Sequence, residues 1–322
     1  MKRLAVLFAA LCWAGSSLAD GSTDALTWLS RMAASSQRLG YAGTFVYQAG
    51  KHSETSRIVH LSDTSGEYER LEALDGTPRE VVRANGEVSF YLPNERILIT
   101  DRVIVRRFPA WGGVTPAALT ENYKLKLGGT DRVAGLDARM VVLEPRDGYR
   151  YGHVFWVDPA SGLMLKSRMT DANGDPVEQF AFSEVSIGGS IDRERLRSRY
   201  AQDASNWRVI NARGESLRAE DSTWRCQNTL PGFREISMVR RPLQREGVDA
   251  LHMVFSDGLA TLSVFIEPLA GRRDKPVAGA SAAGPTQIYK RIVADEFLVT
   301  ALGEVPAAAV KRIADGVEMQ GK

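Results

Sequence analysis

Residues 155–185 read FWVDPASGLMLKSRMTDANGDPVEQFAFSEV, and this stretch decides the fold class. The turn sequences DPASG and DANGD separate three runs of apolar, aromatic and β-branched residues, which predicts three successive strands. In the middle run Lys166 and Arg168 alternate with other residues, a pattern typical of a strand with one solvated and one buried face. Similar runs follow one another from about residue 41 to residue 187, with few helical segments between them. The sequence therefore predicts an antiparallel meander rather than βαβ units.

Helical periodicity marks three other segments. Residues 22–39 place their leucines and Met32 on one side and end at a glycine, which predicts an amphipathic helix. TPAALTENY predicts a short helix capped by Thr115. PAAAVKRIADGVEM, which starts at Pro306, predicts a closing helix whose valines and Ile313 face inward. A curled antiparallel sheet covers one face with such helices.

The stretch HMVFSDGLATLSVFIE (252–267) holds a histidine, a serine and an aspartate, which raises the alternative of a hydrolase triad. Asp257-Gly258 between alternating runs predicts a two-residue hairpin turn. One face of that hairpin is wholly apolar and is expected to be buried; its residues are Met253, Phe255, Ala260, Leu262, Val264 and Ile266. His252 and Ser256 then lie on the outer face about 13 Å apart, beyond hydrogen-bond reach. The stretch is predicted to be structural, and Ser256 to tolerate replacement by alanine.

The first 19 residues have two cations, an apolar run, and Ser17 and Ala19 at the −3 and −1 positions of a cleavage site. This pattern predicts a secretory signal peptide, with a soluble, exported mature chain that begins near Asp20. Acylation of Cys12 is disfavoured because a bulky leucine precedes it. Apart from Cys12 the sequence contains one cysteine, Cys226. Cys226 therefore has no partner for an internal disulfide in the mature chain, and a buried, inert thiol is favoured.

The charge balance argues against a nucleic-acid partner. Lys2 and Arg3 leave with the signal peptide, so 41 basic residues become 39, which equals the 39 acidic residues. A basic stripe of the kind that binds phosphate backbones is therefore not expected. A ligand is expected to be apolar or to be recognised by local charge.

Motifs for catalysis, metal binding or cofactor binding are also missing from the sequence. The four histidines are scattered without metal-ligand spacing, and there is no Walker loop, dinucleotide fingerprint or GxSxG elbow. EPRDGYRYG gathers Glu144, Arg146, Asp147 and Arg150, for which a solvated turn is favoured over a catalytic carboxylate pair. We therefore expect no enzyme activity, no metal and no cofactor.

Composition divides the mature chain into two domains. The polar segment 196–222 lacks strand periodicity and predicts a partly helical connection between a domain at 20–195 and a smaller one at 223–322. In the second domain GRRDKPVAGASAAGPT (271–286) is rich in glycine, alanine and proline and is expected to be a mobile loop.

Large aromatic side chains on the predicted strands of the first domain have two interpretations. They could be ordinary core, or they could line a cavity under a helix that takes an apolar ligand. The candidate lipid-binding residues are Tyr41, Phe45, Tyr47, Phe90, Tyr91, Phe155, Trp156 and Phe180.

Several segments carry a family resemblance. VAGLDARMVVLEPRD and the run at 155–185 resemble the carboxyl half of the LolA/LolB lipoprotein carriers. YAGTFVYQ, ERLEALDGTPREVVR, PRDGYRYG, LPGFR, HMVFSDGLATLSVFIE and LGEVPAAAVKRIA resemble, in order along the mature chain, the MucB/RseB family of periplasmic sigma-factor regulators. The resemblance implies an α+β fold: a half-closed antiparallel β-barrel with covering helices, LolA/LolB-like, plus a smaller C-terminal α/β domain.

The resemblance also implies a function in the periplasm. Members bind the periplasmic part of a transmembrane anti-sigma factor and shield it from regulated proteolysis. The envelope-stress sigma factor then stays inactive and, in part of the family, alginate production is held down. Lipid or lipopolysaccharide is implied as the releasing signal, and self-association is a further expectation. A lipid or lipoprotein carrier is the alternative, and a hydrolase the third reading.

For the anti-sigma partner we expect contacts from cationic and aromatic residues of the smaller domain. The candidates are Arg234, Arg240, Arg241, Arg272, Arg273, Tyr289 and Arg291.

Overall fold

The structure is a computed structural model of the 322-residue chain. It describes residues 20–102, 116–227, 229–243, 248–272 and 276–320. The predicted signal peptide, the predicted helix cap Thr115 and the candidate Arg273 lie outside the described residues. No helix in these described ranges is both long and apolar enough to cross a membrane.

Twelve strands of the described chain form one large sheet. They are β1 (Tyr41–Ala49), β2 (His52–Asp63), β3 (Gly66–Ala73), β4 (Glu80–Ala84), β5 (Glu87–Leu92), β6 (Ile97–Arg102), β7 (Tyr123–Val133), β8 (Leu136–Pro145), β9 (Gly152–Val157), β10 (Met164–Thr170), β11 (Pro176–Ile187) and β12 (Arg208–Asn211). Their order is β12-β6-β5-β4-β3-β2-β1-β11-β10-β9-β8-β7. The neighbours are antiparallel except β12, which runs parallel to β6. The predicted meander is confirmed.

The predicted half-closed barrel is wrong in one respect, because the large sheet is open. Closing a sheet requires its two outermost strands to pair. Here the first strand of the sheet, β1, pairs with β11 in the middle of the strand order, and β7 and β12 remain as edges of the described sheet. The mostly β architecture with a few helices is as expected.

Helix α1 (Asp20–Arg38) covers one face of the large sheet, as its amphipathic pattern predicts. Ala25, Leu29 and Met32 are fully buried in a core with the sheet residues. A short helix, α2 (Pro116–Leu119), precedes β7. We call the face of the large sheet that packs against α1 the inner face, and the opposite one the outer face.

A second sheet and a third helix form the rest of the described chain. The small sheet has seven strands in the order β13-β15-β16-β17-β20-β19-β18. Its strands are β13 (Glu215–Ser216), β15 (Arg234–Pro242), β16 (Asp249–Ser256), β17 (Thr261–Pro268), β18 (Gly279–Ala283), β19 (Thr286–Val293) and β20 (Phe297–Gly303), and β14 (Trp224–Cys226) pairs separately with β21 (Val317–Met319). Helix α3 (Ala307–Gly316) buries Val310 and Ile313 against this sheet, as predicted, but ends three residues earlier than its sequence pattern suggested.

Part of the segment predicted as a mobile loop is instead regular structure. Residues 279–283 form β18 and pair with β19 across the two-residue turn Gly284-Pro285. Gly284 has a φ of 59°, a backbone conformation that glycine adopts without strain. The small residues that suggested mobility therefore serve a tight hairpin.

The hairpin of β16 and β17 has the predicted faces but a register that differs by two residues. Ser256 pairs with Thr261, so the loop is four residues long rather than two. The Asp257 carboxylate accepts hydrogen bonds from the backbone N–H groups of Leu259 (3.0 Å) and Ala260 (2.8 Å), which stabilises the longer loop. A shift of two preserves which side chains share a face, and Phe255 is buried as expected.

Ser256 does not lie on a solvated face, so its expected tolerance of alanine was wrong. Its side chain is 1% exposed, donates a hydrogen bond to the Ala260 carbonyl (2.8 Å) and accepts one from the Gly258 N–H (3.0 Å). Removing these bonds in a buried site costs about 1–3 kcal/mol. Ser256 is structural, as predicted, but through the turn it holds.

The connection between the sheets is partly helical, as expected, and joins both of them. It contains three single 3₁₀ turns at Arg193–Leu196, Asp203–Asn206 and Ala219–Asp221. Strand β12 extends the large sheet and β13 extends the small one. The segment is therefore anchored at both ends.

Candidate functional site

The inner face of the large sheet carries a cluster of aromatic rings. Phe45 and Phe180 have ring centroids 4.5 Å apart, and Phe180 and Phe182 have centroids 5.1 Å apart in an edge-to-face arrangement. The ring centroids of Tyr41 and Phe182 are 6.2 Å apart. All four are buried together with α1, so they form the centre of the core.

Strand pairing places six of the eight candidate lipid-binding residues on the inner face and two on the outer face. Side chains alternate between faces along a strand, and paired residues share a face. The inner-face members are Tyr41, Phe45, Tyr47, Phe90, Phe155 and Phe180. Trp156 lies on the outer face, where its Nε1 donates to Asp131 (3.0 Å) and Lys166 Nζ lies 4.4 Å from its ring centroid. Tyr91 is the other outer-face residue, next to Trp207.

An apolar row extends the inner face beyond the aromatic cluster. One residue from each of five neighbouring strands is paired in register: Ile58, Leu71, Val81, Phe90 and Ile99. Ile58 is buried, whereas the other four are half-buried. This row offers an apolar chain a partly accessible surface that continues from a closed core.

A polar row lies beside the apolar one on the same face. Tyr41, His60, Glu69 and Arg83 are paired in register across four strands. His60 Nδ1 lies 2.8 Å from the Leu39 carbonyl, and its Nε2 lies 3.4 Å from a Glu67 carboxylate oxygen. Burial opposes the charged form, but these bonds raise the pKa of His60 above its usual value. Burial also raises the pKa of Glu69. The hydrogen bond between His60 and the Leu39 carbonyl ties the residue that follows α1 to the sheet.

A cavity of about 350 Å³ opens on the outer face, not among the candidate aromatic residues. Ala42 and Thr44 of β1, Glu184 of β11 and the cations Arg57 and Arg195 are among the residues that line it. Its polar lining does not suit an acyl chain.

The candidate partner-binding arginines do not form one patch. Arg234 and Arg240 are exposed on β15. Arg291 is half-buried and donates to the carbonyls of Ala314 (2.7 Å) and Val317 at the end of α3.

The remaining candidates of the small sheet are partly enclosed. Arg272 is half-buried and pairs with Glu267 (3.2 Å). Tyr289 packs against the core of the small sheet, and Lys311 Nζ lies 5.3 Å from its ring. Arg234 and Arg240 are thus the candidates most accessible to a partner among the described residues.

A buried ion pair joins the two sheets at the turn between β8 and β9. Arg150 Nη1 lies 2.7 Å from Asp257 Oδ2, and both side chains have no solvent exposure. Arg150 also donates to Asp147 (3.1 Å) and to the Pro231 carbonyl. The turn was expected to be solvated, and that prediction was wrong for Arg150.

Aromatic rings of both cores enclose this guanidinium. Its carbon lies 5.6 Å from the ring centroid of Tyr123, in the large-sheet core, and 5.1 Å from that of Phe233, in the small-sheet core. The backbone at residue 232 can approach Asn122 closely because it is glycine (φ 74°). An added Cβ would lie 2.1 Å from the side-chain amide nitrogen of Asn122. Three of the segments that carry the family resemblance, PRDGYRYG, LPGFR and the 252–267 hairpin, therefore meet at Arg150.

Arg241 provides a second tie between the sheets. Its Nη1 donates to Asp101 on β6 (2.7 Å), and its Nε donates to His252 Nδ1 (3.1 Å). A guanidinium only donates, so Nδ1 must be unprotonated, and His252 Nε2 then donates to Ser263 (3.0 Å). Burial, with Arg241 adding to it, lowers the pKa of His252 to about 4.

These contacts also occupy the residues of the suspected triad. His252 bonds Arg241 and Ser263, Ser256 bonds its own turn, and Asp257 bonds Arg150. In the described part of the chain there is no group of three or more histidine, cysteine or acidic side chains that could hold a metal.

Comparison with known proteins identifies the family. The model of the MucB/RseB N-terminal domain matches residues 24–200, and that of the MucB/RseB C-terminal domain matches residues 218–318. The chain belongs to the MucB/RseB family. It is 34% identical over 308 residues to the sigma factor AlgU regulatory protein MucB of Pseudomonas aeruginosa, covering 92% of this chain and 91% of that protein. It is 27% identical over 324 residues to the sigma-E factor regulatory protein RseB of Haemophilus influenzae, covering 99% of this chain and all of that protein.

Solved structures of this family have the same fold. A crystal structure of MucB in complex with MucA(peri) aligns with a TM-score of 0.71 at 29% identity, over 94% of this chain and all of that chain. The complex structure of Pseudomonas aeruginosa MucA/MucB aligns with a TM-score of 0.72 at 29% identity, over 93% of this chain and all of that chain. The similarity spans both sheets, so the family assignment holds for the whole described chain.

Breaking the buried ion pair is expected to destabilise this family member strongly. Asp257→Ala removes the fully buried partner of Arg150 and the acceptor of two backbone N–H groups, and leaves the buried guanidinium only Asp147 and the Pro231 carbonyl; this costs about 3–5 kcal/mol in free energy of unfolding. The double replacement Arg150→Met with Asp257→Leu should cost clearly less than the sum of the single changes, since it removes the two fully buried charges together and leaves only the partly exposed Asp147 without its arginine. Urea unfolding measures both. Exposed Asp249→Ala is the control, expected within about 0.5 kcal/mol of the wild type; an Asp257→Ala variant as stable as this control would contradict the assignment.

Acid is expected to weaken the fold through His252. Its pKa is about 4 in the folded protein, against an ordinary value of 6.5. The unfolded chain therefore binds the proton first, and stability is full above about pH 6.5 and falls as the pH drops towards 4. The difference in pKa corresponds to about 3 kcal/mol in free energy of unfolding. His252→Gln should largely remove this loss of stability between pH 6.5 and pH 4, whereas the control His52→Gln, at an exposed position, should leave it unchanged. A His252 imidazole that titrates near pH 6.5 in NMR spectra would refute this.

Proposed function

We propose that this protein is a periplasmic regulator that binds the periplasmic part of a transmembrane anti-sigma factor. By shielding that segment from proteolysis it keeps an envelope-stress sigma factor inactive, and through it holds down alginate production. The observation that carries the proposal is the match of both sheets to MucB in complex with MucA(peri). The curated relatives are named as sigma-factor regulators, which supports binding rather than catalysis.

We propose the smaller domain, residues 223–322, as the main contact for the partner. Arg234 and Arg240 lie on the same strand and are exposed. Arg291 and Arg241 hold main-chain and inter-sheet contacts, so they support the surface rather than form it. Strand pairing puts the two arginines on opposite faces of β15, and Arg240 lies 3.5 Å from Glu215 of β13. Arg240 thus offers one exposed charge, in a domain anchored to the large sheet, to a peptide of opposite charge.

The binding function is tested with the fluorescently labelled periplasmic segment of the anti-sigma factor from the same organism. The wild-type chain should bind it saturably and slow its digestion by an added protease. Arg240→Glu should weaken binding about fivefold, the size of one exposed charge contact. Exposed Arg132→Glu on β7 carries the same charge change far from the proposed surface and should bind normally. No binding by the wild type would exclude the proposed function, and equal effects of the two variants would exclude Arg240 as a contact.

We further propose that an acyl chain of a lipid or lipopolysaccharide occupies the inner face and releases the partner. The half-buried row Leu71, Val81, Phe90 and Ile99 supports this, because it presents apolar surface in continuity with the core. Lipid binding then favours a relative placement of the sheets that binds the partner poorly. Linkage requires that saturating partner weakens lipid binding by the same factor.

Titrating the labelled segment with and without an acylated lipopolysaccharide fragment measures this coupling. We expect an affinity lower by about 5–150-fold with the fragment present. Val81→Asp puts a charge on the inner-face row and should abolish the response while sparing partner binding. Val82→Asp is the matched control, since Val82 is half-buried on the same strand but faces outward. Equal affinities with and without the fragment would leave a protective clamp without lipid sensing.

A further inference from the structure

The four edges of the two sheets differ in how they are protected against pairing with another chain. Natural edge strands carry charges, bulges or prolines, or are very short. Edge β7 carries Lys124 and Lys126 and has an irregular register between Leu127 and Thr130. Edge β12 has four residues and edge β13 has two. The fourth edge, β18, has none of these devices.

Among the described residues no strand pairs with the outer side of β18, and its backbone is extended after Gly279, whose φ is 129°. Its sequence is GASAA, without a charge or a proline, and all five residues are exposed. Its five pairs with β19 run from Gly279↔Lys290 to Ala283↔Thr286 without a register shift. The tight turn at Gly284-Pro285 closes the hairpin, so the edge is held straight before any partner arrives.

The pairing pattern fixes which main-chain groups point away from the sheet. In a two-residue hairpin the closing pair exchanges both hydrogen bonds, and the pairs then alternate along the ladder. Gly279, Ser281 and Ala283 therefore bond inward to β19. The N–H and C=O groups of Ala280 and Ala282 point outward, where an added strand would find two donors and two acceptors.

Side chains beside the edge favour an acidic segment. Between residues 276 and 294 the described chain has no acidic residue, and Lys290 is the cation beside the edge, since Arg291 donates to the carbonyls of Ala314 and Val317 at the end of α3. The small alanine and serine side chains of β18, and the glycine that begins it, do not obstruct an approaching backbone. Half-buried Ile288 and exposed Ile292 flank Lys290 on one face of β19 and offer apolar contact to alternate side chains of an added strand.

We propose that β18 is a docking edge on which an extended, acidic peptide segment adds an eighth strand to the small sheet. Main-chain hydrogen bonds at Ala280 and Ala282 give this mode its affinity, and alternation of side chains gives it selectivity. The proposal rests on the proposed function only for the source of the segment, which is the periplasmic part of the anti-sigma factor. The docking chemistry itself comes from the edge.

The decisive variant is Ala282→Pro in the full mature chain. Proline removes the outward N–H and blocks an added strand, but it leaves the inward bonds of Ser281 and Ala283 to β19 intact. With the labelled anti-sigma segment as probe, affinity should fall about tenfold or more, the value of one to two main-chain hydrogen bonds. Ala282→Val, which keeps the N–H, should bind like the wild type. Unchanged thermal unfolding of both variants confirms that they fold.

Hydrogen exchange provides the second readout. The amides of Ala280 and Ala282 should exchange more slowly in the complex, while the inward amides of Ser281 and Ala283 should change little. Wild-type binding with no protection at these two amides, or equal affinity of Ala282→Pro, overturns the docking edge and leaves the proposed function standing.

Two other outcomes also decide the matter. If the anti-sigma segment does not bind at all, the proposed function fails. A synthetic peptide of alternating valine and glutamate then replaces it as the probe. If that peptide does not slow exchange of the Ala280 and Ala282 amides, the docking edge is overturned as well. Protection of Ala280 and Ala282 that rises with protein concentration and without peptide assigns the edge to pairing between two copies, which also overturns the proposal.

Discussion

The buried pair of Arg150 and Asp257 is the interaction on which the arrangement of the two sheets depends. Two charges without solvent exposure are tolerated only when their hydrogen bonds are satisfied inside the protein. Arg150 meets that demand with Asp257, Asp147 and the Pro231 carbonyl, and Asp257 meets it with Arg150 and two backbone N–H groups. These partners come from both sheets. The small sheet is therefore held against the turn between β8 and β9 at this point.

The second tie between the sheets is of a different kind. Arg241 and Asp101 remain partly exposed, with 16% and 19% of their side chains accessible, so water can replace part of their contact. The same arginine bonds a histidine that must stay neutral. One junction is dry, and burial raises the pKa of its Asp257 carboxyl; the other is wetter and includes a histidine whose pKa is lowered. If the sheets move relative to each other, we therefore expect the Arg150 contacts to be kept and the Arg241 contacts to change.

Local patterns in the sequence were sufficient to predict the strands between residues 41 and 187 and the three helices, but not β12 and β13 in the predicted connection or β18 in the predicted loop. Alternation alone separates Phe155 from Trp156 and Phe90 from Tyr91, so the mixed set of candidate lipid residues could have been divided from sequence. The four-residue loop after Ser256 could not be predicted from the sequence, because its length depends on what the Asp257 carboxylate binds. Arg150 and Asp257 are 107 positions apart, and no local pattern connects residues at that distance.

Coupling between a lipid on the inner face and a peptide on β18 needs an element that both can reach, and the turn around Arg150 is such an element. Tyr123 belongs to the inner-face core under α1, and its hydroxyl lies 3.4 Å from Asp257. On the other side the Tyr151 hydroxyl interacts with the Gln287 side chain of β19, the strand that pairs with β18. An acyl chain that displaces the core rings and a strand that orders the β18–β19 hairpin therefore act on neighbouring residues of one turn. Since a close-packed interior shifts between discrete packings rather than deforming smoothly, these contacts are the route by which we propose that the two events are linked.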